Sequence, residues 1–178
     1  MKYVALLRGV NVGKAVRVPM GELKSVLEGL GMRDVTTYLN SGNAIFCSEM
    51  TAAELQPLVD TAFTDAFGQP IPTLIKSAPE MAAIAESVPS EWANSPTQQT
   101  YVAYLFPDVD RPELVSELPV KTEYMTIFHT PGAIVWNIQR ENYNRSHITK
   151  IVQHSAYARM TTRNVNTARK LAELSAEH

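Results

Sequence analysis

Residues 40–43 read Asn-Ser-Gly-Asn and separate two largely apolar stretches, Val35–Leu39 and Ala44–Cys47. A connection that short cannot cross over to a parallel neighbour, which needs a dozen or more residues. Asn and Gly accept the positive φ of a tight turn. The two stretches therefore form an antiparallel hairpin, and the chain around them has to build on an antiparallel sheet.

The flanking pattern supplies the remaining elements. Tyr3–Leu7 has the length and apolarity of a buried strand. Met20, Leu23, Leu27 and Leu30 share one helical face behind Pro19, and Gly31 stops that helix. Thr51 and Glu54 make a capping box. Behind it Leu55, Leu58, Val59, Ala62, Phe63, Ala66 and Phe67 form an apolar face, and Pro57 points to a late start. Ile71–Lys76 is a further strand, and its prolines place it at a sheet edge. The order so far is β-α-β-β-α-β, followed by a short helix opened by Ser77, Pro79 and Glu80.

The polar stretch 89–97, bracketed by Pro89 and Pro96, marks the break between halves. Tyr101–Phe106 then reads as a strand, and Asp110 caps a short helix through Leu118. Tyr124–His129 and Ile134–Ile138 are strands joined at Thr130-Pro131-Gly132-Ala133. Ser146 caps a helix carrying Ile148, Ile151 and Val152. A last helix starts near Val165, with Ala168, Leu171, Ala172 and Leu174 inward. The fold class is α+β, with an N-terminal half 1–88, a linker 89–99 and a C-terminal half 100–178 that has an extra helix. The halves share element order but no close sequence repeat.

Hydrophobic residues make up 45% of the 178 and charged residues 19%, which suits packed cores and not disorder. The single cysteine, Cys47, forbids an internal disulfide and fits a reducing compartment. No stretch approaches the roughly 20 apolar residues of a membrane helix, and Met1-Lys2 leads straight into a strand without a leader pattern. The expected location is cytoplasmic. The net charge of -2 points to no nucleic-acid or membrane partner, but its distribution is uneven. Lys76 and Arg111 are the only basic residues between Ser48 and Val120, whereas from Arg140 to Lys170 seven cations face Glu141 alone. If the basic ends meet they make one cationic surface; the plainer reading is Arg–carboxylate pairing with the acidic middle.

Three polar motifs stand at expected loops. Gly9-Val10-Asn11-Val12-Gly13-Lys14 invites comparison with a phosphate loop, but that motif has four residues between its glycines and Ser or Thr after the lysine. Here there are three, and Ala15 follows, so a nucleotide triphosphatase of that class is excluded. A looser anion site remains open, against the plainer reading of a tight connection. Ser41, Gly42 and Asn43 could meet a ligand or simply make a good turn. Thr162-Arg163-Asn164-Val165-Asn166-Thr167 precedes the last helix, where N–H groups beside Arg163 suit an anion and ordinary capping suits the motif equally. His147 and His154 are seven apart and could share a helix face, but a third metal ligand is missing, so no metal site is assigned. Cys47 reads as core, no Ser motif makes a nucleophile elbow, and the candidate loops lack Asp and Glu. No catalytic residue and no cofactor follow from this inventory. Tyr38, Tyr143 and Tyr157 could each stack on a ring or simply pack.

Leu6 to Gly13, then Val18-Pro19-Met20, Leu23, Gly31, Thr37-Tyr38-Leu39, Ser41-Gly42-Asn43 and Phe46 together resemble the N-terminal signature of the family called domain of unknown function 1697. Thr162–Thr167 with Lys170-Leu171 resembles its C-terminal signature. Lys14 stands where the family often has glycine, and Val165 where it usually has tryptophan. The resemblance implies two ferredoxin-like subdomains packed together, with antiparallel sheets and helices on one face, in a bacterial cytoplasmic protein. It implies no activity.

The leading expectation is a site for a small anionic ligand, phosphorylated or nucleotide-like. Arg8, Lys14 and Arg163 would supply charge, Gly9, Gly13 and Gly42 close backbone approach, and Asn11, Ser41, Asn43, Asn164 and Asn166 orientation. If the protein is an enzyme, phosphate transfer or hydrolysis by positioning fits these residues best. The other expectations are an RNA-binding module, against which the strands lack the usual aromatic pattern, and a partner-binding protein whose motifs are only turns and caps. The pattern ranks no oligomeric state.

Overall fold

The computed structural model describes residues 1–176. The chain divides into two compact units, Met1–Ala82 with the stretch from Leu171 onward, and Ala83–Lys170.

The first unit runs β1 (Lys2–Leu7), α1 (Met20–Gly29), β2 (Arg33–Thr37), β3 (Asn43–Cys47), α2 (Ala52–Phe67) and β4 (Thr73–Ser77). The sheet order is β2-β3-β1-β4, and every pairing is antiparallel. This is the ferredoxin-like arrangement that the resemblance implies. Alternation along β1 sends Tyr3, Ala5 and Leu7 into a core with Leu23 and Leu27 of α1 and Leu55, Val59 and Phe63 of α2, so both helices cover the same face. β4 lies at the sheet edge, where its flanking prolines need no ladder partner.

Local signals set several boundaries. Thr51 Oγ1 accepts from Glu54 N–H while the Glu54 carboxylate accepts from Thr51 N–H, which completes the capping box. Ser77 and Glu80 repeat it at the start of α3 (Ala78–Ser87). Contrary to the late start expected, α2 begins at Ala52 with Pro57 inside it. The box at its start and the buried Leu55, Val59 and Phe63 outweigh one missing hydrogen bond. Leu58 and Ala66 turn to solvent instead of joining the core. β2 stops at Thr37 and not at Leu39, because Tyr38 N–H bonds Asn43 O at 3.0 Å and Leu39 has a left-handed φ of 60°. The hairpin loop therefore begins earlier than its turn residues suggest.

The second unit repeats the topology with β5 (Gln98–Leu105), β6 (Thr126–Thr130), β7 (Ala133–Gln139) and β8 (Met160–Asn164) in the order β6-β7-β5-β8, again all antiparallel. Its core joins Ala103, Leu105, Ile134, Trp136, Ile138 and Met160 of the sheet to Leu114, Ile148, Ile151 and Ala156. The connections differ from expectation. The helix after β5 is the single turn α4 (Leu114–Glu117), and Asp110 does not cap it. Its carboxylate accepts instead from Gly132 N–H and contacts His129 Nε2 at 2.7 Å, tying the β6–β7 turn. After β7 come a 3-10 turn (Arg140–Asn142), α5 (Tyr143–Ser146) and then two longer 3-10 segments, Ile148–Gln153 and Ser155–Arg159, where one amphipathic helix was expected. At three residues per turn Ile148 and Ile151 share a face, and Val152 is 56% exposed. α6 (Val165–Ala176) closes the described chain. No helix among the described residues is long and apolar enough to cross a membrane.

Candidate functional site

In the first unit the loop after β1 is anchored at both ends. Leu7 N–H bonds Gly42 O at 2.8 Å, and Arg8 N–H bonds Pro72 O at 2.9 Å. Gly9, Asn11 and Gly13 then take φ of 68°, 57° and 51°, alternating with Val10 and Val12, which do not. Such alternation turns successive N–H groups toward a common concavity that suits an anion. Within the chain, Asn11 N–H bonds Val16 O and Ala15 N–H bonds Val12 O. The N–H groups of Gly9, Val12, Gly13 and Lys14 have no hydrogen-bond partner among the described residues. Lys14 and Arg17 are exposed, and no carboxylate occurs between Arg8 and Val18.

Asn11 holds this loop in place. Its Nδ2 donates to Val18 O at 2.9 Å and to Asn40 O at 2.8 Å, and its Oδ1 accepts from Val18 N–H at 2.8 Å. On the hairpin side the fully buried Asn43 donates to Tyr38 O and to Ser41 Oγ at 2.8 and 2.9 Å. Gly42 packs between Leu7 and Val10. So Arg8, Gly9, Asn11, Gly13, Lys14, Ser41, Gly42 and Asn43 lie in one local constellation. Asn11 and Asn43 brace it, and the loop has backbone N–H groups without partners among the described residues beside the exposed Lys14 and Arg17.

Arg163, Asn164 and Asn166 belong to the second unit, at the β8–α6 junction. Asn164 Oδ1 accepts from Thr167 N–H at 3.0 Å, an ordinary helix cap. Asn166 is exposed. Arg163 is buried, donates to Thr161 Oγ1 and Thr162 O, and lies within electrostatic reach of Tyr104. Burial lowers its pKa to about 10, and the same burial pushes the Tyr104 hydroxyl up.

These two groups give opposite alkaline slopes. Above about pH 10 an unfolded tyrosine ionises while native Tyr104 does not, so stability falls by about 1.4 kcal/mol per pH unit. Between pH 10 and the ordinary arginine value of 12.5, native Arg163 releases a proton that the unfolded chain keeps, so its contribution rises. Tyr104→Phe removes only the falling slope. Its stability relative to wild type should climb by about 1.4 kcal/mol per unit above about pH 10, read from urea denaturation across that range. A difference that stays flat with pH would mean that Tyr104 ionises as an exposed tyrosine does.

Several sequence candidates fall elsewhere. His147 is left-handed at φ 59° between α5 and the first 3-10 segment, and His154 caps the second while approaching Glu117 at 3.4 Å. They do not share a helix face, and no metal-binding cluster occurs among the described residues. Cys47 is half-buried. Arg159 pairs with Asp108, and Arg33 with Glu49, as the plainer reading of the charge pattern has it.

The second unit also carries a cleft of about 550 Å³, on the sheet face covered by the 3-10 segments. Tyr101 of β5 and Trp136 of β7 sit opposite each other, with ring centroids 6.0 Å apart and planes at 27°. They line it together with Gln99, Arg140, Tyr143 and Tyr157. Trp136 is 4% exposed, and its Nε1–H is the one buried side-chain polar atom without a partner among the described residues. An orphan of this kind costs about 1–3 kcal/mol. Sequence reading named Tyr143 and Tyr157 but missed Tyr101, Trp136, Gln99 and Arg140, which come together only through strand register.

The family described as Protein of unknown function (DUF1697) matches residues 1–136. No curated protein matches the chain. Among solved structures, the conserved bacterial protein SP0830 from Streptococcus pneumoniae superposes with a TM-score of 0.85 at 24% identity, covering 98% of each chain. That likeness is one of fold.

Proposed function

This chain belongs to the DUF1697 family of proteins of unknown function, and from that premise we propose that it binds a small anionic ligand, phosphorylated or nucleotide-like, on the Gly9–Gly13 loop of the first unit. One observation carries the reading. Four N–H groups of a loop with alternating backbone handedness lack partners among the described residues, in a segment with Arg8, Lys14 and Arg17 and no carboxylate. Backbone donors and point charges without a base or nucleophile suit capture and positioning of an anion. The lone cysteine and the want of a membrane-spanning helix among the described residues support a cytoplasmic location.

A thermal-shift series with inorganic phosphate, a nucleoside monophosphate and a sugar phosphate tests this. At a free concentration of about 100 times Kd a ligand stabilises by roughly 2.7 kcal/mol, or roughly 5–10 °C in a chain of this size. The shift should shrink strongly in Lys14→Ala combined with Arg17→Ala, both exposed positions, with the melting temperature of the unliganded variant read alongside because Arg17 also donates to Gly13 O at 3.4 Å. No shift with any of the three phosphates, or equal shifts in the double variant, would reject the loop as an anion site. The motif would then serve only to tie turns.

A further inference from the structure

The second-unit cleft is a built site, and we propose that it binds a planar heteroaromatic anion. The ligand ring would stack beside Tyr101 and Trp136, a ring acceptor would take the Trp136 N–H, and an anionic group would meet Arg140. This goes beyond the loop reading and does not depend on it.

Three features select that chemistry. The stacked Tyr101–Trp136 pair and the half-buried Tyr157 offer aromatic surface to a flat ring in a cleft of about 550 Å³, a volume in the range of small-molecule sites. Trp136 lines the cleft, and its Nε1–H is buried and unpartnered among the described residues, so an acceptor that settles against this side chain relieves an unsatisfied donor. A ring nitrogen or carbonyl satisfies it; a plain hydrocarbon ring does not. The third feature is the state of Arg140. Its Nε donates to Ser95 O at 2.6 Å, Nη1 to Gln99 Oε1 at 3.3 Å and Nη2 to Asn94 Oδ1 at 3.0 Å. All three acceptors are neutral, and no carboxylate pairs with Arg140 among the described residues. The guanidinium is thus fixed in orientation while its charge stays uncompensated. Of its five N–H groups, one on each terminal nitrogen remains to donate to a carboxylate or phosphate. The buried Gln99, whose carboxamide oxygen accepts from this arginine, lines the cleft as well.

The test uses the full chain carrying Trp92→Phe, so that the indole N–H resonance of Trp136 is the one tryptophan signal. Three matched probes are titrated: a quinoline carboxylate, its naphthalene analogue without the ring nitrogen, and its carboxamide without the charge. The quinoline carboxylate should move the Trp136 indole N–H resonance saturably, and each analogue should bind about tenfold more weakly, the loss of one hydrogen bond or one charge contact. Arg140→Gln should bring the carboxylate and the carboxamide to equal affinity while the resonance still responds to both. Inorganic phosphate has no ring and should leave the resonance in place, which separates this site from the loop. An indole resonance that stays fixed with the quinoline carboxylate in a protein of native spectrum overturns the proposal. Equal affinity for all three probes overturns it too, since it reduces the cleft to an unselective apolar surface.

Discussion

Gly42→Ala should destabilise the first unit by about 2–5 kcal/mol, through two independent mechanisms at one position. The backbone there has φ of 88°, a left-handed conformation that costs an L side chain about 1–2 kcal/mol. The added Cβ would also stand 2.7 Å from Leu7 Cβ and 2.8 Å from Val10 Cγ2. Both neighbours are fully or almost fully buried, at 0% and 2% exposure, and Leu7 Cβ is fixed to the strand backbone, so neither can give way cheaply. Overpacking of this sort costs about 1–3 kcal/mol. Out of a total stability of about 5–15 kcal/mol the loss is large, and the melting temperature should fall on the order of 10 °C. Gly13→Ala is the control. Its φ is 51°, but nothing lies within 4 Å of the added carbon, so only the smaller conformational cost applies. If the two variants melt together, the close approach of Gly42 to β1 is wrong, and with it the link between hairpin and loop.

The contrast shows which parts of the molecule could be read from the chain. Both capping boxes, at Thr51 with Glu54 and at Ser77 with Glu80, were legible because donor and acceptor lie three residues apart. So was the β-α-β-β-α-β order of the first half, since it rests on apolar spacing, whereas in the second half the strand Met160–Asn164 went unread between the expected helices. Boundaries fixed by side-chain hydrogen bonds were not legible. β2 ends early because the buried Asn43, five residues on, claims Tyr38 O, which apolar spacing does not announce. The loop motif was legible as a polar turn, but the long-range bonds that hold it were not. Asn11 serves as scaffold through bonds to Val18 and to Asn40, the latter 29 residues away. The cleft was missed because a helix was expected after β7. Yet Ile148, Ile151, His154 and Tyr157 recur every third residue, the period of a 3-10 segment. Counting that period against 3.6 would have withdrawn the helix and exposed the sheet face where Tyr101 and Trp136 meet.

Asn11→Ala should remove about 4–5 kcal/mol and collapse the loop before it touches any ligand. Three side-chain hydrogen bonds are lost at once, each worth about 1 kcal/mol net. The Val18 N–H is left without its Asn11 partner beside a fully buried side chain, which raises the toll toward the full desolvation cost of that group. Alanine must also hold the φ of 57°, which asparagine tolerates and alanine resists. Two further substitutions divide these effects. Asn11→Gly loses the same bonds but accepts the conformation, so it should recover about 1 kcal/mol relative to alanine. Asn11→Asp keeps the acceptor for Val18 N–H and gives up both donations, so it should fall between wild type and alanine. Chemical denaturation followed by a probe in the first unit ranks the three. The order Asp, then Gly, then Ala in falling stability follows if the amide is a brace for the anion-binding loop. Near-native stability in all three, joined to weakened phosphate binding, would instead make Asn11 a direct ligand contact, and the loop would then be held by its glycines and the Leu7–Gly42 bond alone.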